Sequence, residues 1–502
     1  MAMIRGIAVS LAAGCAIYFI VLLHFPLSQC RFPSCLHQER SNLKRAVTES
    51  DEVSIPAWRL PKPPRFDRGI YQLGAGEYMN VSKFHGLMPA GIWKRLVPLL
   101  HKLAKGNAIN IVVFGGSFTA GAGCHQPDAA NDSQSFKNKL CSWTARFLHW
   151  LRVAFPQSTV ELENRGHGGS PSAVILGGVG LFNYSTVDLI LVDTLVNDAT
   201  DENRAFGKLT NDADVNNLSN MELGSVAFEV LIRTLSELAP KSTIYGIEAG
   251  CPLCLHSALA HRVVLDFYGV PYLDFAKLVE KDGKLWTPKK PHPTFKTHQA
   301  VADVLAFTWS NVWDRMYHIK SSEVNEVNSK AQQMLCHPQS TFYHPALYRN
   351  RFTVCKKPCA ILSPWRRSTV EVRIIRGNWS FYEDRPGKPG WISTCPGSVM
   401  EIPLCFGQSP TFSLTYLRSY EKMGKAKVTL NGISLTINGL WDDGNRFAQS
   451  ETLFAQAGNG LLQTWGAGIL GFNVTPNSSL PLRRLNLESG NNKMKIIEII
   501  SC

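Results

Sequence analysis

At 502 residues the chain is too long for one ordinary domain and is expected to hold two or three. Its 45% apolar and 18% charged residues exclude a small disulfide scaffold and wholesale disorder. The 52 Lys and Arg against 39 Asp and Glu give a formal net charge of +13, but they are dispersed, with no long basic run, zinc ligand set or nucleic-acid motif. No nucleic-acid partner is therefore expected, and the positive field suits acidic glycans or an anionic membrane surface instead.

The N-terminus carries no formal charge from Ile7 to Leu23, seventeen residues, or about 26 Å of helix, enough to cross a thin bilayer. The next residues are His24-Phe25-Pro26 rather than a small-x-small cleavage site, so an uncleaved signal anchor is predicted, with the membrane contacted through residues 7–23. Charge does not set its orientation, because Arg5 on one side faces Arg31, Arg40, Lys44 and Arg45 on the other. Removing Cys15 from the thirteen cysteines leaves an even number, and Asn-x-Ser/Thr triplets stand at Asn80, Asn131, Asn183, Asn217, Asn378, Asn473 and Asn477. Together these predict a type II single-pass protein of the Golgi or secretory lumen. A mixed-charge stretch with Pro56, Pro61, Pro63 and Pro64 then reads as an extended stem.

From Ile92 to Leu103 apolar residues recur at helical spacing, with Pro98 expected to kink the helix or delay its start. Short apolar runs at Asn110–Phe114, Thr159–Leu162, Val187–Asp193, Thr243–Ile247 and Val270–Leu273 read as buried strands. Helical patterns separate them, as at Phe136–Phe155 and Leu223–Leu238. Alternating strands and helices predict a flavodoxin-like parallel sheet covered on both faces, with ligands beyond the carboxyl ends of the strands.

The residues after each strand therefore carry the information. The first strand runs into Gly115-Gly116-Ser117, the second into Asn164-Arg165-Gly166-His167-Gly168-Gly169, and the third into Thr194-Leu195-Val196-Asn197-Asp198. Far downstream come Lys289-Lys290-Pro291-His292-Pro293 and His298, before an apolar helix from Ala300 to Trp313. Each has a bland reading: Ser117 and Asn197 as helix caps, His292 as a surface loop residue. No Gly-Lys-Ser/Thr ending, dinucleotide spacing or metal-ligand spacing is present, so no metal or cofactor is expected.

In this order the blocks resemble the SGNH hydrolase superfamily, the GDSL-type esterases and lipases, over roughly residues 108–312. The resemblance implies an SGNH fold with Ser117 as nucleophile, His292 as its base, and the Gly166 amide and Asn197 side chain as oxyanion donors. It assigns His298 to the start of the following helix. The chemistry agrees, since a serine hydroxyl needs a neighbouring base and the tetrahedral oxyanion needs fixed neutral donors. Three departures stand out. Gly116 replaces the usual aspartate, Leu195 replaces a glycine and is expected to narrow the pocket, and Lys289 stands where the family places the carboxylate that orients histidine.

Beyond Met316 an irregular segment contains Cys336, Cys355 and Cys359. Strand-like runs come next at Thr369–Ile375, Thr411–Leu417, Lys427–Leu430, Ile433–Ile437 and Lys493–Ile500, with Asn431-Gly432 as a hairpin signal. An antiparallel β-sandwich is predicted, with Trp379, Trp391, Trp441 and Trp465 either in its core or stacked on sugar rings. The expected organisation is an anchor at 1–30, a stem at 31–73, a hydrolase-like domain at 74–316, a cysteine-containing linker at 317–368 and the sandwich at 369–502. Cys124 and Cys141 are expected to be oxidised, and Cys251 and Cys254 are a second candidate pair. The leading functional expectation is a serine esterase removing acyl groups, in particular acetyl, from a polysaccharide or glycan. A glycan O-acetyltransferase and a non-catalytic carbohydrate-binding protein are the alternatives.

Overall fold

The computed structural model describes residues 70–74, 77–80, 84, 86–89, 92–124, 140–199, 219–251, 254–281, 283–286, 292–316, 355, 358–385, 388–407, 410–430, 433–441, 448–456, 466–475 and 493–502. All of these belong to one compact unit, Arg59–Cys502. The predicted anchor, most of the stem, Lys289 and Trp465 lie outside the described residues. Among the described residues no helix is long and apolar enough to cross a membrane.

The chain opens with an antiparallel hairpin, β1 (Ile70–Gly74) and β2 (Glu77–Asn80). A 3-10 turn, Ile92–Leu96, then leads into α1, Val97–Ala104. Pro98 falls in the first turn of α1, where its missing N–H costs no intrahelical bond, so it delays the α-helix rather than kinking it. Strand β3 is Ile109–Gly115, followed by α2 (Trp143–Ala154), β4 (Val160–Gly166), α3 (Ser172–Val179) and β5 (Leu189–Asp193). Next come α4 (Ser219–Leu238), β6 (Thr243–Ile247), α5 (Leu255–Phe267), β7 (Tyr272–Leu273), α6 (Phe275–Lys281) and α7 (Phe295–Met316). Helix α2 starts later than the apolar spacing suggested, because the Ser142 hydroxyl accepts a hydrogen bond from the Ala145 N–H and caps it there.

The five strands pair in parallel in the order β4-β3-β5-β6-β7. After β3 the chain turns to one side for β4 and to the other for β5, which opens a crevice at the carboxyl end of β3. Register makes this concrete: Gly115 is paired with Gly166 on one side and with Asp193 on the other. Three loops thus leave the sheet at one level. Alternate strand residues feed two cores, Ile111, Val113, Leu189 and Leu191 packing with Trp143, Phe147 and Trp309. Val112, Phe114, Ile190 and Val192 pack on the other face with Leu176, Phe228, Leu231 and Leu265. Burial on both faces explains the unbroken apolar runs.

The second half is all β: β8 (Ala360–Leu362), β9 (Arg373–Arg376), β10 (Ser380–Glu383), β11 (Pro389–Ser393), β12 (Val399–Phe406) and β13 (Thr411–Arg418). It continues with β14 (Lys425–Leu430), β15 (Ile433–Asn438), β16 (Gln449–Gln456), β17 (Gly466–Thr475) and β18 (Met494–Ser501). One antiparallel sheet runs β15-β14-β17-β12-β9; the other runs β10-β11-β18-β13-β16, with β8 also on β18. Met400, Ile402, Leu404, Val428 and Leu430 of the first sheet share one apolar cluster with Leu414, Tyr416, Ile496 and Ile499 of the second. Leu430 is paired with Ile433, which leaves Asn431-Gly432 as the expected two-residue connection.

The α/β half and the β-rich half are packed tightly. Helix α3 meets β13 and β16 through its glycines: a Cβ on Gly177 would stand 3.6 Å from Thr452 Cγ2. Arg366 donates to the Gly178 carbonyl at 3.0 Å and lies 3.7 Å from Glu498, whose other contact is the Ser363 hydroxyl. Four disulfides join described residues: Cys124–Cys141, Cys251–Cys254, Cys355–Cys502 and Cys359–Cys405. Both expected pairs are present, and the other two fasten the chain entering the β-rich half to its strands.

Candidate active site

Ser117 follows β3 in a tight turn closed by hydrogen bonds from Ala120 N to Gly116 O (3.0 Å) and from Ala122 N to Ser117 O (2.9 Å). Thr119 Oγ1 donates to the buried Asp193 carboxylate at 2.6 Å, while Gly116 N donates to the Asp193 carbonyl at 3.3 Å. The turn is thereby fixed to the end of β5. Burial pushes the Asp193 carboxyl up to about 7 against the opposing Thr119 bond. The turn ends at Gly123, with φ of 81°, where a Cβ would stand 2.1 Å from the Pro293 carbonyl oxygen. Only glycine fits there, and its bare Cα lets the distant His292-Pro293 segment approach.

That approach brings His292 Nε2 to 2.9 Å from Ser117 Oγ. With the imidazole neutral and its proton on Nδ1, the hydroxyl donates to Nε2, the arrangement a serine nucleophile requires. His298 has a different setting. It is fully buried in the first turn of α7, its Nδ1 accepts from Trp143 N at 3.2 Å, and its Nε2 donates to Ala122 O at 3.0 Å. Those two partners dictate the Nε2–H tautomer and place His298 behind the serine turn, tilted against Phe118 with ring centroids 4.4 Å apart.

The glycine loop departs from expectation in detail. The Gly166 N–H is already used, donating to Asn164 Oδ1 at 2.8 Å, while Asn164 Nδ2 donates to Thr119 O at 2.8 Å. A Cβ on Gly166 would stand 2.6 Å from Ala120 N, so this glycine lets β4 press against the serine turn rather than presenting a donor. Gly168 is the glycine beside the nucleophile, its Cβ position lying 3.7 Å from Ser117 Cβ. Among the described residues neither the Gly168 nor the Gly169 N–H has a hydrogen-bond acceptor. The motif located the loop, but not which amide faces the serine.

Asn197 stands close on the opposite side. A Cβ on Gly116 would fall 1.8 Å from Asn197 Oδ1, so the missing aspartate has a steric reason: a side chain here fits only if the Asn197 amide moves from its place beside the serine turn. Asp198 anchors the segment, accepting from Ser172 N (2.8 Å) and Ser172 Oγ (2.6 Å) at the start of α3. Its Oδ2 is also 3.3 Å from His261 Nε2, while His261 Nδ1 is 3.1 Å from Glu248. Burial alone would lower the His261 pKa, but the carboxylates of Glu248 and Asp198 outweigh it and push it up to about 10. Leu195 does not narrow the pocket. It is fully buried among Ala199, Cys254, Ala258 and Ala276, where its apolar side chain is withdrawn from water.

The β-rich half also reaches the site, which the motifs could not reveal. Ser450 N donates to Gly169 O at 2.8 Å, and Gln449 Nε2 reaches Asn197 O at 3.4 Å. Trp365 stacks on His167 of the glycine loop, centroids 4.6 Å apart. Lys388 Cε and Nζ each lie 3.2 Å from the Cβ position of Gly168. Trp379 and Trp441 are core residues, not sugar platforms, and Trp391 is half-buried against Phe381. Among the described residues no group of three or more His, Cys, Asp or Glu side chains is placed to hold a metal ion.

The fold and site together define an open, doubly wound α/β chain carrying a Ser-His pair at its switch point, with an all-β half packed over the same loops. No protein-family model matches the chain, and no curated protein matches it in sequence. Among solved structures it is similar to a two-domain esterase active on acetylated mannans, at 15% identity and a TM-score of 0.49, covering 81% of this chain and 94% of that one. It is also similar to Axe2, an acetylxylan esterase from Geobacillus stearothermophilus, at 14% identity and a TM-score of 0.28, covering 39% of this chain and 92% of that one.

Proposed function

We propose that the chain is a serine esterase of the SGNH type that removes acyl groups, acetyl in particular, from a glycan in the secretory lumen. The observation that carries this reading is the 2.9 Å contact between Ser117 Oγ and His292 Nε2 at the carboxyl end of the parallel sheet. His292 takes the hydroxyl proton as Ser117 attacks the ester carbonyl. The Asn197 amide and the N–H of Gly168, the glycine beside the serine, receive the oxyanion. The imidazolium then protonates the leaving sugar oxygen, and the same imidazole activates a water to free Ser117 from its acyl group. A polymeric glycan suits a site whose rim comes partly from a second, all-β half. The lumenal placement and the type II anchor rest on the Ile7–Leu23 stretch, the sequons and the four disulfides.

The test is release of acetate from acetylated polysaccharide and of nitrophenol from p-nitrophenyl acetate, by the wild type and by Ser117→Ala. Loss of both activities in the variant supports the esterase. Transfer of labelled acetyl to polysaccharide in place of release to water would make the protein an O-acetyltransferase built on the same pair.

A further inference from the structure

Lys388 is the one cation of the β-rich half that flanks the nucleophile's own glycine, among the described residues. Its Cε and Nζ lie 3.2 Å from the Gly168 Cβ position, which is itself 3.7 Å from Ser117 Cβ. Its backbone is held from several directions. The Lys388 N–H donates to Arg385 O at 3.0 Å and faces Glu383 Oε1 at 3.2 Å, and its carbonyl accepts from Lys495 Nζ. Lys495, only 2% exposed on β18, is ion-paired with Asp384, which also binds Lys493. A buried charge network therefore holds the backbone that presents Lys388.

The Lys388 ammonium has no acceptor among the described residues. It is half-buried, with Arg385 and Lys495 repelling it and Asp384 attracting it; burial, the largest influence, lowers its pKa. Of the two carboxylates nearby, Asp384 is already occupied by two other lysines and Glu383 accepts from the Lys388 backbone N–H. Holding an unpaired cation partly out of water is costly, and the cost is relieved when an anion docks against it. Neither Ser117 nor His292 uses this charge in the reaction described above.

We infer that Lys388 is a specificity-determining residue that binds the carboxylate of a uronic acid close to the acylated sugar, making the preferred substrate an acidic acylated glycan. The inference rests on the esterase reading for its kinetic test and on the Lys388 geometry for its binding test. Charge on the rest of the protein is compatible, at a formal +13.

The experiment compares the full-length wild type with Lys388→Met and Lys388→Gln on an acetylated polyuronate and on an acetylated neutral mannan, with thermal unfolding as the control for folding. In the wild type kcat/KM favours the polyuronate, and both variants lower that preference by about ten- to hundredfold, the loss expected for one hydrogen bond to a charged group. The effect falls chiefly on KM, and raising salt weakens the wild-type preference in the same direction. An equal loss on both polymers would overturn the inference and assign Lys388 to the oxyanion instead. No loss on either would overturn it outright. Binding of unacetylated polyuronate, measured calorimetrically, separates the two readings. If no ester is cleaved yet the wild type binds polyuronate and Lys388→Met does not, the esterase reading fails and the Lys388 site stands.

Discussion

Replacing Gly116 with the aspartate usual in the family the sequence resembles should lower the proposed esterase activity rather than raise it. The Cβ of any residue at 116 would fall 1.8 Å from Asn197 Oδ1 and 2.9 Å from Asn197 Cγ, closer than real contacts allow. The atoms in the way are the end of one side chain, so the fold can relieve the clash by swinging the Asn197 amide aside. Stability should therefore fall by only about 1 kcal/mol, the lower end for overpacking. The displaced amide no longer meets the oxyanion, and losing one such donor costs about 10²–10³ in kcat. Gly116→Ala, the smallest case, should match Asn197→Ala in kcat on p-nitrophenyl acetate, and the double variant should be little worse than either. Gly115→Ala is the contrast. There the Cβ would stand 2.5 Å from the Asp193 carbonyl oxygen, a backbone atom that cannot turn away, so unfolding temperature should drop along with activity. Wild-type kcat in Gly116→Ala, or additive losses in the double variant, would refute the placement of Asn197.

His261, held between Glu248 and Asp198, has a folded-state pKa raised from 6.5 to about 10, so its stabilising contribution is complete below pH 6.5 and is lost as pH rises through 10. The stability difference between wild type and His261→Gln should shrink by several kcal/mol, in order of magnitude, across that window; a difference independent of pH would contradict the pairing. A Cys124→Ser, Cys141→Ser double variant should lower stability by about 3 kcal/mol for the 17-residue separation, and peptide mapping of the wild type that finds both as free thiols would reject the bond. The Ile7–Leu23 stretch should remain in the mature protein, with N-terminal sequencing beginning at or near Met1 and a start beyond residue 25 defeating the anchor. Glycosidase should lower the apparent mass, with exposed Asn183 among the modified positions, and Asn183→Gln should remove part of that shift.

The parallel strands were legible because burial on both faces leaves unbroken runs such as Ile109–Gly115, and the late histidine stood out by its place in the Pro291-His292-Pro293 block. The order of the strands was not written in any local pattern, since pairing of Gly115 with both Gly166 and Asp193 is set by how helices cover the sheet. Strand β12 alternates cleanly, with Met400, Ile402, Leu404 and Phe406 inward, yet Pro403 disguises it. The structure tolerates that proline because it lies beyond the stretch that pairs with β9. Gly166 misled because the motif specifies a glycine and not the direction of its amide. Lys388, Trp365 and Ser450 escaped notice because they come to the serine from the far half of the chain, joined by tertiary packing alone. His261 lay in an ordinary helical pattern, and its partners Glu248 and Asp198 follow two different strands.

Labelling of the purified protein by a fluorophosphonate probe tests the Ser117-His292 pair most directly. Wild type should be labelled on Ser117, Ser117→Ala not at all, and His292→Ala far more slowly than wild type, with unfolding temperatures unchanged. Labelling of Ser117→Ala, or of His292→Ala at the wild-type rate, would show that the pair 2.9 Å apart is not the catalytic one.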